Sequence, residues 1–215
     1  MTGPSPDTLH PMPGFPRVVF LRPLAEGLAN VDVGEFSYYD DPDDATEFFE
    51  KNVLHHYDFI GDRLVIGRFV AIATGVKIFM NGGTHAMTGF STFPFNIFGH
   101  GWEQGFDPAT WEAGYKGDTV IGADSWIGTE AVLMPGVTIG PGAIIAARSV
   151  VTQDVPPYAV VAGNPARVVR RRFDETTIDR LCEIAWWDWP IAKITASLDA
   201  IRGADLPALE RAALT

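Results

Sequence analysis

Aliphatic residues recur at every sixth position from Ile121 onward, as Ile121, Ile127, Leu133, Ile139, Ile145 and Val151. Four residues after each comes a small or β-branched one: Ser125, Ala131, Val137, Ala143, Ser149 and Val155. Gly122, Gly128, Met134, Gly140, Ala146 and Thr152 take the second place. An upstream block keeps the period through Ile60, Ile66, Ile72 and Ile78, with Gly61, Gly67 and Ala73 second, and Val33-Gly34-Glu35-Phe36-Ser37 is one more unit. Each hexapeptide predicts one short strand and one turn of a triangular prism, so that about eighteen residues complete a coil. The aliphatic residue fills the axis, and small residues fit where the chain bends. The predicted fold is an all-β solenoid, a parallel β-helix; the strands of a two-sheet sandwich would come at irregular spacings of about 8 to 12 residues.

Between Ile78 and Ile121 the phase breaks, because their separation is not a multiple of six. Residues 84–118 therefore leave the prism as an inserted loop. Phe90, Phe93, Phe95, Phe98, Trp102, Phe106, Trp111 and Tyr115 are too many aromatics for a solvated tether, so this loop should pack against its own coil or a neighbour's flank. The organisation predicted is an N-terminal extension over residues 1–30, the β-helix with its loop over 31–168, and a C-terminal helical segment over 169–215. In that segment Ile178, Leu181, Cys182 and Ala185 fit one helical stripe. Pro190 suits a first helical position, and Ile191, Ile194, Leu198 and Ile201 fit a second stripe that Gly203 stops. Asp40, Asp41, Asp43, Asp44, Glu47 and Glu50 read as a solvated excursion without the ligand spacing of a metal site.

Composition narrows the class. With 47% hydrophobic residues in 215, the chain can bury a sizeable core. A net charge of -11 disfavours nucleic acid or an anionic membrane as partner. Half of the 16 basic residues nevertheless fall at or after Arg167, where a small anionic ligand could be held. No apolar run reaches the ~18 residues needed to cross a bilayer, and the start lacks a signal-peptide stretch, so the expectation is a soluble, cytoplasmic protein. The single cysteine, Cys182, excludes an internal disulfide and a Cys-based zinc site, and reads as core.

No metal motif, phosphate-binding glycine loop, dinucleotide fingerprint or nucleophile elbow is present, which leaves His10, His55, His56, His85 and His100 as acid or base candidates. His85 stands out by place. It follows Met80-Asn81-Gly82-Gly83-Thr84, where the prism opens into the aromatic loop. Position alone leaves a structural histidine open.

The sequence resembles the hexapeptide-repeat xenobiotic acetyltransferases, which include the streptogramin A (virginiamycin) and type-B chloramphenicol acetyltransferases. The resemblance rests on VGEFSYYD from Val33, FMNGGTHAMTGFSTFPFNIFG from Phe79, Gly117 to Pro165, and RRFDETTIDRL with IAWWDWP in the tail. It departs at Gly83-Thr84, where the family often has Ala-Asn, and at Val70, where a cysteine is usual. The resemblance implies a left-handed coil, transfer of acetyl from acetyl-CoA to a hydroxyl without a metal, and His85 as the catalytic base. A hydroxyl is a poor nucleophile near neutrality, whereas an imidazole, ordinarily titrating near ~6.5, is there largely neutral and can take the proton as the oxygen attacks the thioester. Its other nitrogen needs a fixed acceptor, expected to be a backbone carbonyl of the loop.

Eighteen-residue spacing puts Thr129, Ala147 and Pro165 in one row. The resemblance implies that the small Thr129 and Ala147 flank the pantetheine arm, with Thr152, Gln153, Arg167 and Arg170 toward the nucleotide end; arginine forks suit its phosphates. Read without it, the row is turn filler and the Arg170 to Arg172 run a solvated face flanking a helix. Tyr38, Tyr57, Trp126 and the aromatic loop match positions that line the family's acceptor site, although Tyr39 and Tyr57 read equally as packing residues. The expected assembly is a homotrimer with sites between subunits, taking a small-molecule hydroxyl acceptor such as a streptogramin A antibiotic. Acetylation of a sugar or cell-envelope hydroxyl is the alternative within enzymes. A noncatalytic β-helix scaffold is the alternative outside them.

Overall fold

The computed structural model describes residues 3–108, 110 and 114–214. Trp111, one of the predicted loop aromatics, lies outside the described residues. In chain order the strands are β1 (Val18–Phe20), β2 (Val31–Val33), β3 (Tyr38–Asp40), β4 (Val53–Leu54), β5 (Leu64–Ile66), β6 (Ala71–Ile72) and β7 (Lys77–Phe79). After the loop come β8 (Thr119–Ile121), β9 (Trp126–Ile127), β10 (Val132–Leu133), β11 (Thr138–Ile139), β12 (Ile144–Ile145), β13 (Val150–Val151), β14 (Ala159–Gly163) and β15 (Ala166–Arg171). They form three sheets, ordered β1-β3-β6-β9-β12-β14-β15, β13-β10-β7-β4 and β11-β8-β5-β2. From β2 to β13 the chain visits the sheets in rotation and every pairing within a sheet is parallel, the succession expected of a parallel β-helix.

The hexapeptide positions explain this stacking. Ile66 pairs with Ile121 and Ile121 with Ile139; Ile72 with Ile127 and Ile127 with Ile145; Ile78 with Leu133 and Leu133 with Val151. All nine are buried. Removing each from water favours folding by roughly 1.5 to 3 kcal/mol. The second-position glycines answer a different demand, because a Cβ on Gly122 would lie 2.7 Å from the Ile139 carbonyl oxygen of the next round. The inserted loop leaves the ladders intact, since Ile66 still meets Ile121.

Several expectations are corrected. Ile60 is not a strand position: it sits in a turn, half-buried, and the strand before β5 is β4. Within the N-terminal extension, β1 pairs antiparallel with β3, and Val19, Phe20 and the following Leu21 are buried. The acidic excursion is only partly solvated. Its end forms a short helix, α1 (Phe48–Lys51), with Phe48 wholly buried. Arg17 grips Asp40 at 2.5 and 3.0 Å, and Asp44 caps the turn at Thr46. The Tyr39 phenol, pushed up to about 12 by burial and by its bond to Asp41, also accepts from Asn52.

Residues 169–171 belong to β15, antiparallel to β14, and helices begin only at α2 (Glu175–Ile184). The second stripe splits at Ser197 into α3 (Ile191–Ala196) and α4 (Leu198–Gly203), with Pro190 capping α3 rather than starting it and Leu198 exposed. A further helix, α5 (Leu206–Ala213), follows. Arg68 fastens this segment to the strands, donating to the carbonyls of Trp187 and Trp189 and to Glu35. Cys182 is a half-buried member of the helical core.

Candidate active site

β7 ends at Phe79, and a 3-10 turn over Asn81–Gly83 leads to His85. Two glycines make that turn possible. A Cβ on Gly82 would stand 2.4 Å from the His55 carbonyl oxygen, and one on Gly83 2.6 Å from His55 Cδ2. The second clash accounts for Gly83, because the His55 ring occupies the space an alanine methyl would need. Thr84 has its own partner: its hydroxyl donates to the Asn81 carbonyl at 2.8 Å.

His85 is exposed, with Nδ1 2.8 Å from the Thr92 carbonyl oxygen. A carbonyl can only accept, so in the neutral ring Nδ1 bears the hydrogen and Nε2 keeps its lone pair. The expected loop carbonyl is thus that of Thr92. His85 lines a cavity of about 570 Å³ whose walls include Tyr57, Phe59, Ile60, Phe93 and Tyr115. Tyr57 and Phe59 stack with ring centroids 5.4 Å apart and planes 5° from parallel. Sequence reasoning missed Phe59, although an aromatic two residues after Tyr57 was a visible signal. Deeper in the loop Phe93 packs on Phe95, Phe98 and Trp102, yet Trp102 remains 58% exposed.

Of the three expected acceptor residues, only Tyr57 shares the His85 cavity. Tyr38 and Trp126 lie elsewhere, both in register with Ala71 and therefore in one row across the seven-stranded sheet. Trp126 points outward, as its repeat position predicts, and is 55% exposed.

Thr129 and Ala147 do stack: Arg148 N–H donates to the Thr129 carbonyl at 2.8 Å, and a Cβ on Gly128 would approach Ala147 N to 2.7 Å. Pro165 drops out of the row. Ile144 pairs with Val160, sixteen residues on rather than eighteen, and Pro165 falls in the turn between β14 and β15. Thr152 and Gln153 follow β13 and are exposed. Arg167 and Arg170 stand on strand β15, opposite Ala162 and Val160, and not beside a helix. None of these seven residues lines the His85 cavity within one chain.

A bacterial transferase hexapeptide family model (six repeats) matches residues 118–153. A probable macrolide acetyltransferase of Lysinibacillus sphaericus is 49% identical over 161 residues, 75% of this chain and 89% of the relative. A chloramphenicol acetyltransferase of Agrobacterium fabrum is 41% identical, covering 85% of this chain and 87% of its own. A virginiamycin A acetyltransferase of Staphylococcus aureus is 43% identical over 209 residues, 97% of this chain and 93% of the relative.

Proposed function

The chain belongs to the hexapeptide-repeat xenobiotic acetyltransferases, the family of the virginiamycin A and chloramphenicol acetyltransferases, and from that membership we propose that it moves acetyl from acetyl-CoA to a hydroxyl of a streptogramin A-type antibiotic. The observation that carries the reading is the His85 ring, held by Thr92 so that a bare Nε2 belongs to an aromatic-walled cavity. In this mechanism Nε2 accepts the hydroxyl proton as the oxygen attacks the thioester carbonyl, and the imidazolium returns it to the departing thiolate. Acetyl-CoA supplies the activated acyl group. The corner at Thr129 and Ala147 suits its narrow arm, being small and exposed, and Arg167 and Arg170 are exposed guanidiniums fit for its phosphates, with Thr152, Gln153 and Pro165 nearby in sequence.

The assembly proposed is a homotrimer of left-handed coils with each site between two subunits. Two observations support it. Tyr38 and Trp126 present aromatic surface away from the His85 cavity, and the loop cluster around Phe93 and Trp102 is half exposed on an isolated chain, as surfaces awaiting a neighbour would be. The test is thiol release from acetyl-CoA with purified protein, offered streptogramin A, chloramphenicol and simple sugars in parallel. Release with streptogramin A is the expected outcome; release with sugars alone would overturn the acceptor assignment.

A further inference from the structure

Asp62 is fully buried, and its Oδ1 has no hydrogen-bond partner. An ionisable group kept in such a place with one oxygen stranded is costly unless the other oxygen is well bonded. Oδ2 accepts twice from one residue, from Asn81 N–H at 2.8 Å and from Asn81 Nδ2 at 2.8 Å. Asn81 is itself buried and uses its whole amide. The second hydrogen of Nδ2 goes to the Gly117 carbonyl at 2.9 Å, and Oδ1 accepts from Lys116 N–H at 2.9 Å.

One side chain therefore ties the start of the 84–118 loop to its end. The turn that carries Asp62 is anchored as well: His56 Nε2 donates to the Asp62 carbonyl at 3.0 Å, and Arg63 N–H donates to Asp118 Oδ1 at 2.9 Å. From Asn81 the contact runs toward the histidine, because both N–H and hydroxyl of Thr84, the residue before His85, donate to the Asn81 carbonyl at 3.1 and 2.8 Å.

We propose that Asp62 and Asn81 are positioning residues for His85: Asp62 orients the Asn81 amide, which clamps both roots of the loop and sets the backbone from which the imidazole reaches Thr92. This rests on His85 being the base. Neither residue touches substrate; each acts through the loop, where a displacement of about 1 Å at the reacting geometry suffices for roughly 10²-fold in rate.

The experiment is a double-mutant cycle in the full-length protein, with kcat, KM for acetyl-CoA and protease cleavage of the loop measured on variants shown to be folded. Asn81→Ala is expected to lower kcat about 100-fold with KM for acetyl-CoA within about twofold, and to speed cleavage within 84–118. Asp62→Ala should lower kcat about tenfold, and the double variant should be no slower than Asn81→Ala, because Asp62 works only through it. Thr84→Val, which removes the hydroxyl at a half-buried position, should reduce kcat, and Thr84→Ser should restore it. Wild-type kcat in Asn81→Ala, independent losses that multiply in the double variant, or failure of Thr84→Ser to recover what Thr84→Val lost would each overturn the proposal. His85→Ala is run beside them: if it stays active, the base assignment fails, whereas an inactive His85→Ala with a fully active Asn81→Ala sinks the clamp alone.

Discussion

At the level of single residues the chemistry turns on which imidazole nitrogen is free. The Thr92 carbonyl fixes that choice for His85, because it accepts from Nδ1 and leaves Nε2 turned away from that bond. Replacing His85 with Ala is expected to cut turnover by about 10² to 10⁴-fold, the usual contribution of a general base, with little change in acetyl-CoA affinity. Steady-state kinetics with calorimetry check both halves; retained turnover would remove the base. His85 drew notice by its place where the repeats lose phase, but that place left a structural histidine open, and only the family resemblance singled it out as the base. Asn81 and Asp62 drew none, since Asn81-Gly82-Gly83 looks like any polar turn, and Asp62 follows Ile60-Gly61, which mimics a repeat unit. Their meaning comes from a contact nineteen residues apart that no local pattern announces.

Among the elements, the hairpin β14–β15 and the helix α2 carry separate predictions. Arg167 and Arg170 on β15 are expected to meet the phosphates of acetyl-CoA. Changing both to Ala should weaken its binding by about 1 to 3 kcal/mol, with added salt shrinking the difference; calorimetry showing unchanged affinity would leave them a solvated edge. At the start of α2, Asp174 accepts from Thr177 N–H at 2.8 Å, and that bond, helped by the Thr177 hydroxyl, holds its carboxyl below the usual range. A lowered native pKa means that the unfolded chain binds the proton more readily. The stabilisation is therefore complete above the ordinary carboxylate range and is lost as pH falls through the native value. Asp174→Ala should lower the urea midpoint at neutral pH, and the gap to wild type should narrow on acidification; a gap independent of pH would deny the cap its role. Most β strands of the repeats were readable from period, because the first and fifth residues of each hexapeptide are buried, though the false unit at Ile60 hid β4. β15 was not: Val168 and Val169 are exposed between arginines, so the strand leaves no burial pattern. The second helical stripe was readable in its residues but not in its break, for Ser197 takes a non-helical ψ of 4° that nothing in the neighbouring sequence signals.

Across the whole molecule, of the expected acceptor and cofactor residues only Tyr57 lines the His85 cavity of one chain. If the proposed trimer forms, a His85→Ala chain and an inactive chain whose acetyl-CoA groove is disabled by bulky substitutions at Thr129 and Ala147, unfolded together and refolded, should give mixed assemblies in which some sites draw an intact base from one subunit and an intact cofactor face from the next. Activity well above that of either parent is expected. If mass spectrometry verifies subunit exchange and no activity returns, base and cofactor face belong to one chain. The repeat position of Trp126 shows that it points outward, but not that it shares a row with Tyr38, since that depends on the register of β3, β6 and β9 across the inserted loop.

The two strands that flank the seven-stranded sheet, β1 and β15, run antiparallel to their neighbours. A pile of parallel rungs is open-ended, because each rung offers the next the same hydrogen-bonding edge, and nothing in the repeat says where growth should cease. Here both borders of the widest sheet carry a strand of the wrong direction for another rung. The parallel ladder of this sheet is thereby interrupted at both ends, whereas the other two sheets end on parallel strands. Deleting residues 1–21 would strip one border and bare the edge of β3; the truncated protein should associate end to end, growing with concentration in light scattering, while the intact chain keeps one size. The antiparallel borders thus act as stops on the widest of the three ladders.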